Sequence, residues 1–288
     1  MPPRTPPPRL SILFARAAPV AVIFRRGPSK HVEVVRWDTR RDTFQRGHWF
    51  QGRIYDRRSD LSPGGELLVY FASQFNRRSV RPDDPYTYAW TAVSRVPWLT
   101  ALALWPKGDC WWGGGLFDGE KTLLLNHLPD EATPHPRHRP QGLRAKPNPD
   151  ACGEDNPLHR RRLERDGWRR EEEMEIERAG RGYATVTPEI MTRGHHAHPL
   201  RMVKARAIEG FRRLERFHVA AADGAPVLPL EGADWADWDF DGRLVVLRRG
   251  AVSVAEVVDG EISPLRELID LTADACEPRE PPASARSW

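Results

Sequence analysis

Three Asp-Gly pairs, Asp223-Gly224, Asp241-Gly242 and Asp259-Gly260, follow one another at intervals of 18 residues. Asp-Gly is among the strongest signals for a two-residue hairpin turn, because the backbone there must take positive φ. An interval of this length holds two strands and their turns. Val227 to Leu230, Leu244 to Leu247 and Val252 to Val258 supply apolar runs of strand length around these turns. The last third of the chain therefore reads as an antiparallel meander.

The first third has the same rhythm. Leu10 to Phe14, Val20 to Phe24, Val32 to Trp37 and Phe44 to Gly52 are short runs rich in β-branched and aromatic residues, separated by Ala17-Ala-Pro19, Gly27-Pro28 and a polar turn from Asp38 to Thr43. The 27 Pro and 22 Gly interrupt helices and the 11 Trp suit pleated surfaces, so composition agrees with strands. The fold class expected is all-β.

Asp60 to Phe71 runs a Ser-Pro-Gly-Gly turn straight into Leu67, Leu68, Val69, Tyr70 and Phe71, and Asp237 to Leu247 repeats its Asp, Gly and aliphatic offsets. The Gly supplies positive φ and the Asp can bond the turn backbone. Leu61 to Val69 resembles the S-P-D-G-x-x-[IL] signature of TolB/WD40-like β-propeller repeats, with Gly64 in the place of the Asp. The second stretch keeps Asp241-Gly242 but has Asp239-Phe240 in place of Ser-Pro. The resemblance implies a propeller-like chain of about 4–5 small antiparallel sheets; a β-sandwich or two β domains would satisfy the same pattern.

The expected organisation is a disordered tail (1–9), an N-terminal β half (10–127), a loop or linker (128–157), a C-terminal β half (158–271) and a loose tail (272–288). The linker is assigned where Pro, His, Arg, Asn and Asp displace apolar residues. Within Leu158 to Arg181, Arg160 and Glu164 have helical spacing, but Asp166-Gly167 in the middle favours a hairpin of exposed strands.

The 44 basic residues are offset by 40 acidic ones, leaving a formal charge of +4. Such a balance weakens any field directed at phosphates, so nucleic-acid binding is not favoured. Cys110, Cys152 and Cys276 are too few and too widely spaced for a disulfide framework or a metal knuckle. The stretch from Leu10 to Phe24 is broken by Arg16 and Pro19, short of the about 20 apolar residues of a spanning helix. These readings imply a cytoplasmic protein that makes no membrane contact.

The candidate ligand-binding residues are Trp111, Trp112, Trp235, Trp238 and Arg95, aromatic and guanidinium groups in turn-rich stretches. The triple glycine Gly113-Gly-Gly115 would let a ligand or another strand approach the backbone closely. His195, His196 and His198 have metal-ligand chemistry, yet they sit between Arg193-Gly194 and Pro199, and an exposed loop is the favoured reading. No metal or other cofactor is implied. Function is expected to be non-enzymatic, a binding or scaffold protein meeting a protein partner or small ligand; the alternative is a hydrolase or lyase using the Asp and His clusters.

Overall fold

The computed structural model describes residues 6–27, 30–75, 86–147 and 155–288, and among these the chain forms 24 strands and one α-helix. It divides into two compact units, unit 1 made of 1–162 with Ala273–Trp288, and unit 2 of Leu163–Thr272. The all-β expectation holds.

In unit 1, β1 (Arg9–Phe14), β2 (Val20–Arg26), β3 (His31–Asp38) and β4 (Thr43–Gln51) form an antiparallel sheet in chain order. Then β5 (Arg53–Leu61), β6 (Leu67–Ser73), β7 (Ala89–Arg95) and β8 (Ala103–Lys107) repeat that plan. Side chains on facing sides of the two sheets, among them Val22, Phe24, Val34, Ile54, Leu68 and Tyr70, close into one buried cluster. β9 (Gly115–Gly119) and β10 (Thr122–Leu125) form a hairpin to which β11 (Arg144–Pro147) adds in parallel.

The glycines before β9 are explained by close packing. A Cβ on Gly113 would meet the Phe71 ring, one on Gly114 the Arg58 side chain at 2.8 Å, and one on Gly115 the Leu124 carbonyl at 2.6 Å. Arg58, 2 % exposed, donates to the carbonyls of Cys110 and Trp112 and pairs with Asp155 at 2.5 Å. Close neighbours within the fold, then, use the space these glycines leave.

Three expectations need correction. The helix α1 (Asp155–Arg165) takes the first part of the stretch read as a hairpin, while Arg169–Glu172 and Glu175–Ala179 are exposed strands as expected, though not paired with each other. Asp166-Gly167 is its stop signal: Gly167 has φ +94°, its N–H donates to Glu164 O at 3.2 Å, and that of Trp168 donates to Leu163 O at 2.9 Å. This is the usual glycine cap, with Leu163 and Trp168 as its hydrophobic contact. Secondly, residues 128–143 are a largely irregular loop, but not a free one, since His135 and Leu143 are buried and 144–147 form β11, while 148–154 lie outside the described residues. Thirdly, the C-terminal stretch is tied down in unit 1. Asp274 pairs with Arg46, Arg279 reaches the fully buried Glu33 at 3.0 Å, and Ala285 is buried. Of the N-terminal tail, residues 1–5 lie outside the described residues, Pro8 is buried and Arg9 begins β1.

In unit 2, β12 (Arg169–Glu172), β13 (Glu175–Ala179), β14 (Gly182–Thr187), β15 (Glu189–Gly194), β16 (Leu200–Gly210), β17 (Arg212–Ala221) and β18 (Pro226–Pro229) share one antiparallel sheet. The chain continues through β19 (Trp235–Trp238), β20 (Leu244–Arg248) and β21 (Ala251–Ala255), a small hairpin of β22 (Val257–Val258) and β23 (Glu261–Ile262), and β24 (Arg266–Asp270). β19, β20, β21 and β24 make a four-stranded sheet. All three Asp-Gly pairs are turns between consecutive strands; at the β22–β23 turn both residues are at positive φ, Asp259 +52° and Gly260 +84°.

One kind of corner recurs where a strand passes to the next strand of its sheet. Ala15 N–H donates to Val20 O at 2.8 Å, Ser62 to Leu67 at 2.8 Å, His195 to Leu200 at 2.7 Å and Asp239 to Arg243 at 2.9 Å. In three of the four, the side chain of the first residue also takes a turn amide: Ser62 Oγ from Leu67, His195 Nδ1 from Ala197 and His198, and Asp239 Oδ1 from Asp241 and Arg243. No helix among the described residues is long and apolar enough to cross a membrane.

Candidate binding site in unit 1

Antiparallel pairing brings the end of β2, the start of β3, the end of β4, the start of β5 and the end of β6 to the same end of two sheets, opposite the corners just described. There Arg26, Lys30, Gln51, Gly52, Arg53, Ser73, Gln74 and Phe75 line an open cavity of about 510 Å³. That is within the range of about 300–1,000 Å³ typical of small-ligand sites.

The cavity wall is set by short bonds to backbone carbonyls. Gly52 N–H donates to Lys30 O at 2.7 Å, Gln74 Nε2 to Gln51 O at 2.9 Å, and Arg26 Nη2 to Ile54 O at 3.0 Å. Gly52 is needed for this closeness, because a Cβ would lie 2.6 Å from Ser73 O. Lys30 itself is at φ +56°, a conformation that favours Gly or Asn.

Among the described residues, three cations and no carboxylate face the cavity. Burial lowers the Arg26 pKa; Asp56 opposes that shift, and Arg53 and Arg9 add to it. The Arg53 guanidinium lies over the Tyr55 ring, its Cζ 4.3 Å from the ring centroid, which fixes the charged head. Phe75 is 67 % exposed, and its ring leans on Tyr88 with centroids 5.2 Å apart. The wall thus offers positive charge, amide and hydroxyl groups, and one open aromatic face. Such a surface has the chemistry to hold an anion.

The residues singled out from sequence lie elsewhere. Trp111 is 60 % exposed on a turn closed by Asp109 Oδ1, which accepts its N–H at 2.9 Å, and Trp112 has φ +52° with Lys107 Nζ 5.7 Å from its ring. Arg95 donates to Ser287 O at 3.3 Å and so helps to hold the C-terminus. Trp235 and Trp238 belong to the core of unit 2. Trp235 packs on Phe217 and Trp168, and Trp238, 2 % exposed, donates to Arg193 O at 3.1 Å. The ligand-presenting role given to Trp238 is therefore corrected: its ring is closed off by packing.

The histidines form one of the corners. His195 Nδ1 accepts two backbone amides, so its Nε2 carries the proton that it donates to Gly242 O at 2.8 Å. Both ring nitrogens are thereby used, and His195 has no lone pair for a metal; His196 stacks on it and His198 lies tilted beside it. Among the described residues, no group of three or more His, Cys, Asp or Glu is placed to hold a metal ion. The acidic cluster has structural partners. Asp237 accepts from Arg193 at 2.7 Å and from Trp168 Nε1 at 3.2 Å, and Asp239 pairs with Arg243 at 2.8 Å.

Sequence reasoning missed the cavity because its cations come from separate strand ends. Arg26, Lys30 and Arg53 form no motif; Arg26 and Arg53 share a place beside a glycine, Gly27 and Gly52, and Lys30 lacks even that. Comparison of the chain with protein-family models and with curated proteins gives no match.

Proposed function

We propose that the chain is a non-enzymatic binding protein of propeller type that takes a small anionic ligand in the cavity of unit 1. The propeller reading is supported by the consecutive four-stranded meanders β1–β4 and β5–β8 and by the four corners of one kind. In each unit, moreover, an earlier corner packs on the glycine of a later one. Ala17 N–H donates to Pro63 O at 2.9 Å beside Gly65, and His195 donates to Gly242 O at 2.8 Å. Neighbouring blades around an axis would bring their corners together in this way. Free thiols at Cys110 and Cys276 agree with a cytoplasmic location.

The observation that carries the function is the set of three cations on a cavity wall that, among the described residues, has no carboxylate. Like charges held together cost stability in the free protein, and an anion removes that cost. Loops on a rigid sheet scaffold are the usual place for such a site. Calorimetric titration with pyrophosphate tests this. Binding is expected at low salt, weakening as salt rises and lost in the Lys30→Gln, Arg53→Gln double variant. A wild-type protein that binds no pyrophosphate at low salt overturns the reading.

A further inference from the structure

We infer that the ligand of this cavity is a phosphorylated small molecule with a planar ring, of the nucleoside phosphate class, its phosphates on Arg26, Lys30 and Arg53 and its ring on Phe75. This rests on the anion-binding reading above and narrows it.

The first argument is charge and valence. A lone carboxylate brings one negative charge and two oxygens to three cationic groups. A phosphate monoester brings about −1.5 to −2 charge and three acceptor oxygens. The Arg53 fork, the Arg26 donors beyond the one held by Ile54 O, and an ammonium are matched to such a group, because Arg can bind it bidentately and Lys acts as a point charge.

The second argument is Phe75. A phenyl ring 67 % exposed contributes little to the core, yet this one is held against Tyr88 at 5.2 Å and forms part of the cavity wall. A fixed open aromatic face beside cations is the arrangement on which bases stack. Gln51 and Gln74 add amides; one Gln74 Nε2–H donates to Gln51 O, and the other N–H and the Gln74 Oε1 can meet a ring edge. A cavity of about 510 Å³ has room for a ring together with its phosphates.

Titrations with pyrophosphate, adenosine and ADP separate the parts. ADP is expected to bind about 10- to 100-fold more tightly than pyrophosphate, the usual value of one stacked base, and adenosine far more weakly than either. Phe75→Ala, at an exposed position where folding is not at risk, should bring ADP down to the affinity of pyrophosphate and leave pyrophosphate unchanged. Arg53→Gln should weaken both. Equal affinity of the wild type for ADP and pyrophosphate, or an unchanged ADP affinity in Phe75→Ala, overturns the ring assignment and leaves the anion site standing. Absence of binding by both ADP and pyrophosphate overturns the two readings together.

Discussion

Gly65 and Gly242 stand at the same joint in two different sheets: each N–H donates to the carbonyl three residues back, Ser62 at 2.9 Å and Asp239 at 3.2 Å, and φ is +79° and +89°. Each also lies under an earlier corner. A Cβ on Gly65 would come within 2.7 Å of Val20 Cβ, and one on Gly242 within 2.8 Å of His195 Nε2.

Alanine at these joints should therefore cost more than backbone strain alone. Gly180 is a control, with φ +59° and nothing within 4 Å of the place a Cβ would take. Gly180→Ala is expected to lose about 1 kcal/mol, the cost of a left-handed residue. Gly65→Ala should lose about 2–4 kcal/mol, because Val20 is buried and stiff at χ1 and adds an overpacking penalty. Gly242→Ala should fall between, since His196, the side chain nearest its Cβ, is exposed and can turn away. Urea denaturation of the three variants gives the order, and a Gly65→Ala no worse than Gly180→Ala would remove the corner contact from the account.

The joints could be read from sequence because their chemistry is local: a Gly at a fixed offset from a side chain that accepts a turn amide. Asp166-Gly167 shows the limit of that logic. The same dipeptide that turns a hairpin at Asp259-Gly260 caps a helix at Gly167, and only burial of Leu163 and Trp168 together decides between them. The C-terminal stretch was illegible for another reason. Its anchors, Arg279 on Glu33 and Asp274 on Arg46, join residues more than 200 positions apart, and a polar Pro-rich composition carries no trace of them. The cavity failed on both counts, since its three cations are neither local nor part of a periodic pattern.

Stability should fall with pH through His127. This imidazole is fully buried, and burial lowers its pKa from 6.5 to about 4. Its bonds suit the neutral ring: Nε2 lies 2.8 Å from Thr91 Oγ1, which itself accepts Gly114 N–H at 2.7 Å and so turns its own proton to the ring, leaving Nδ1–H for Glu131 O at 3.2 Å. The folded pKa lies below the unfolded one. The contribution is therefore complete above pH 6.5 and is lost as pH falls toward 4, by about 3 kcal/mol in all. Urea midpoints measured from pH 7 to 4.5 should drop less in His127→Gln than in the wild type.

Removing Arg279 should destabilise unit 1. Glu33 is wholly buried and faces Arg46 at 2.6 Å and Arg279 at 3.0 Å. Arg279→Met leaves Arg46 bonded to that carboxylate and Arg25 near it, and a loss of about 1–3 kcal/mol is expected for a charge-assisted bond removed from a buried group. Truncation after Thr272 should cost more, because Asp274 and the buried Ala285 go as well. Thermal melts of the two variants check the order.

Lys30 brings the fold and the site into conflict, and Lys30→Asn should expose it. At φ +56° a lysine is strained by about 1–2 kcal/mol, which Asn relieves in part. The substitution also removes one of three like charges lining the same cavity. Both effects stabilise the free protein, so urea denaturation without ligand should give a gain of about 1 kcal/mol. In pyrophosphate the order should reverse, because a ligand stabilises in proportion to its affinity and the variant has lost a phosphate contact. A tenfold weaker binding would subtract about 1.4 kcal/mol at saturating ligand and outweigh the gain. If Lys30→Asn is less stable with and without pyrophosphate alike, the lysine serves the fold rather than the ligand, and the cavity loses one of its three cations as a binding group.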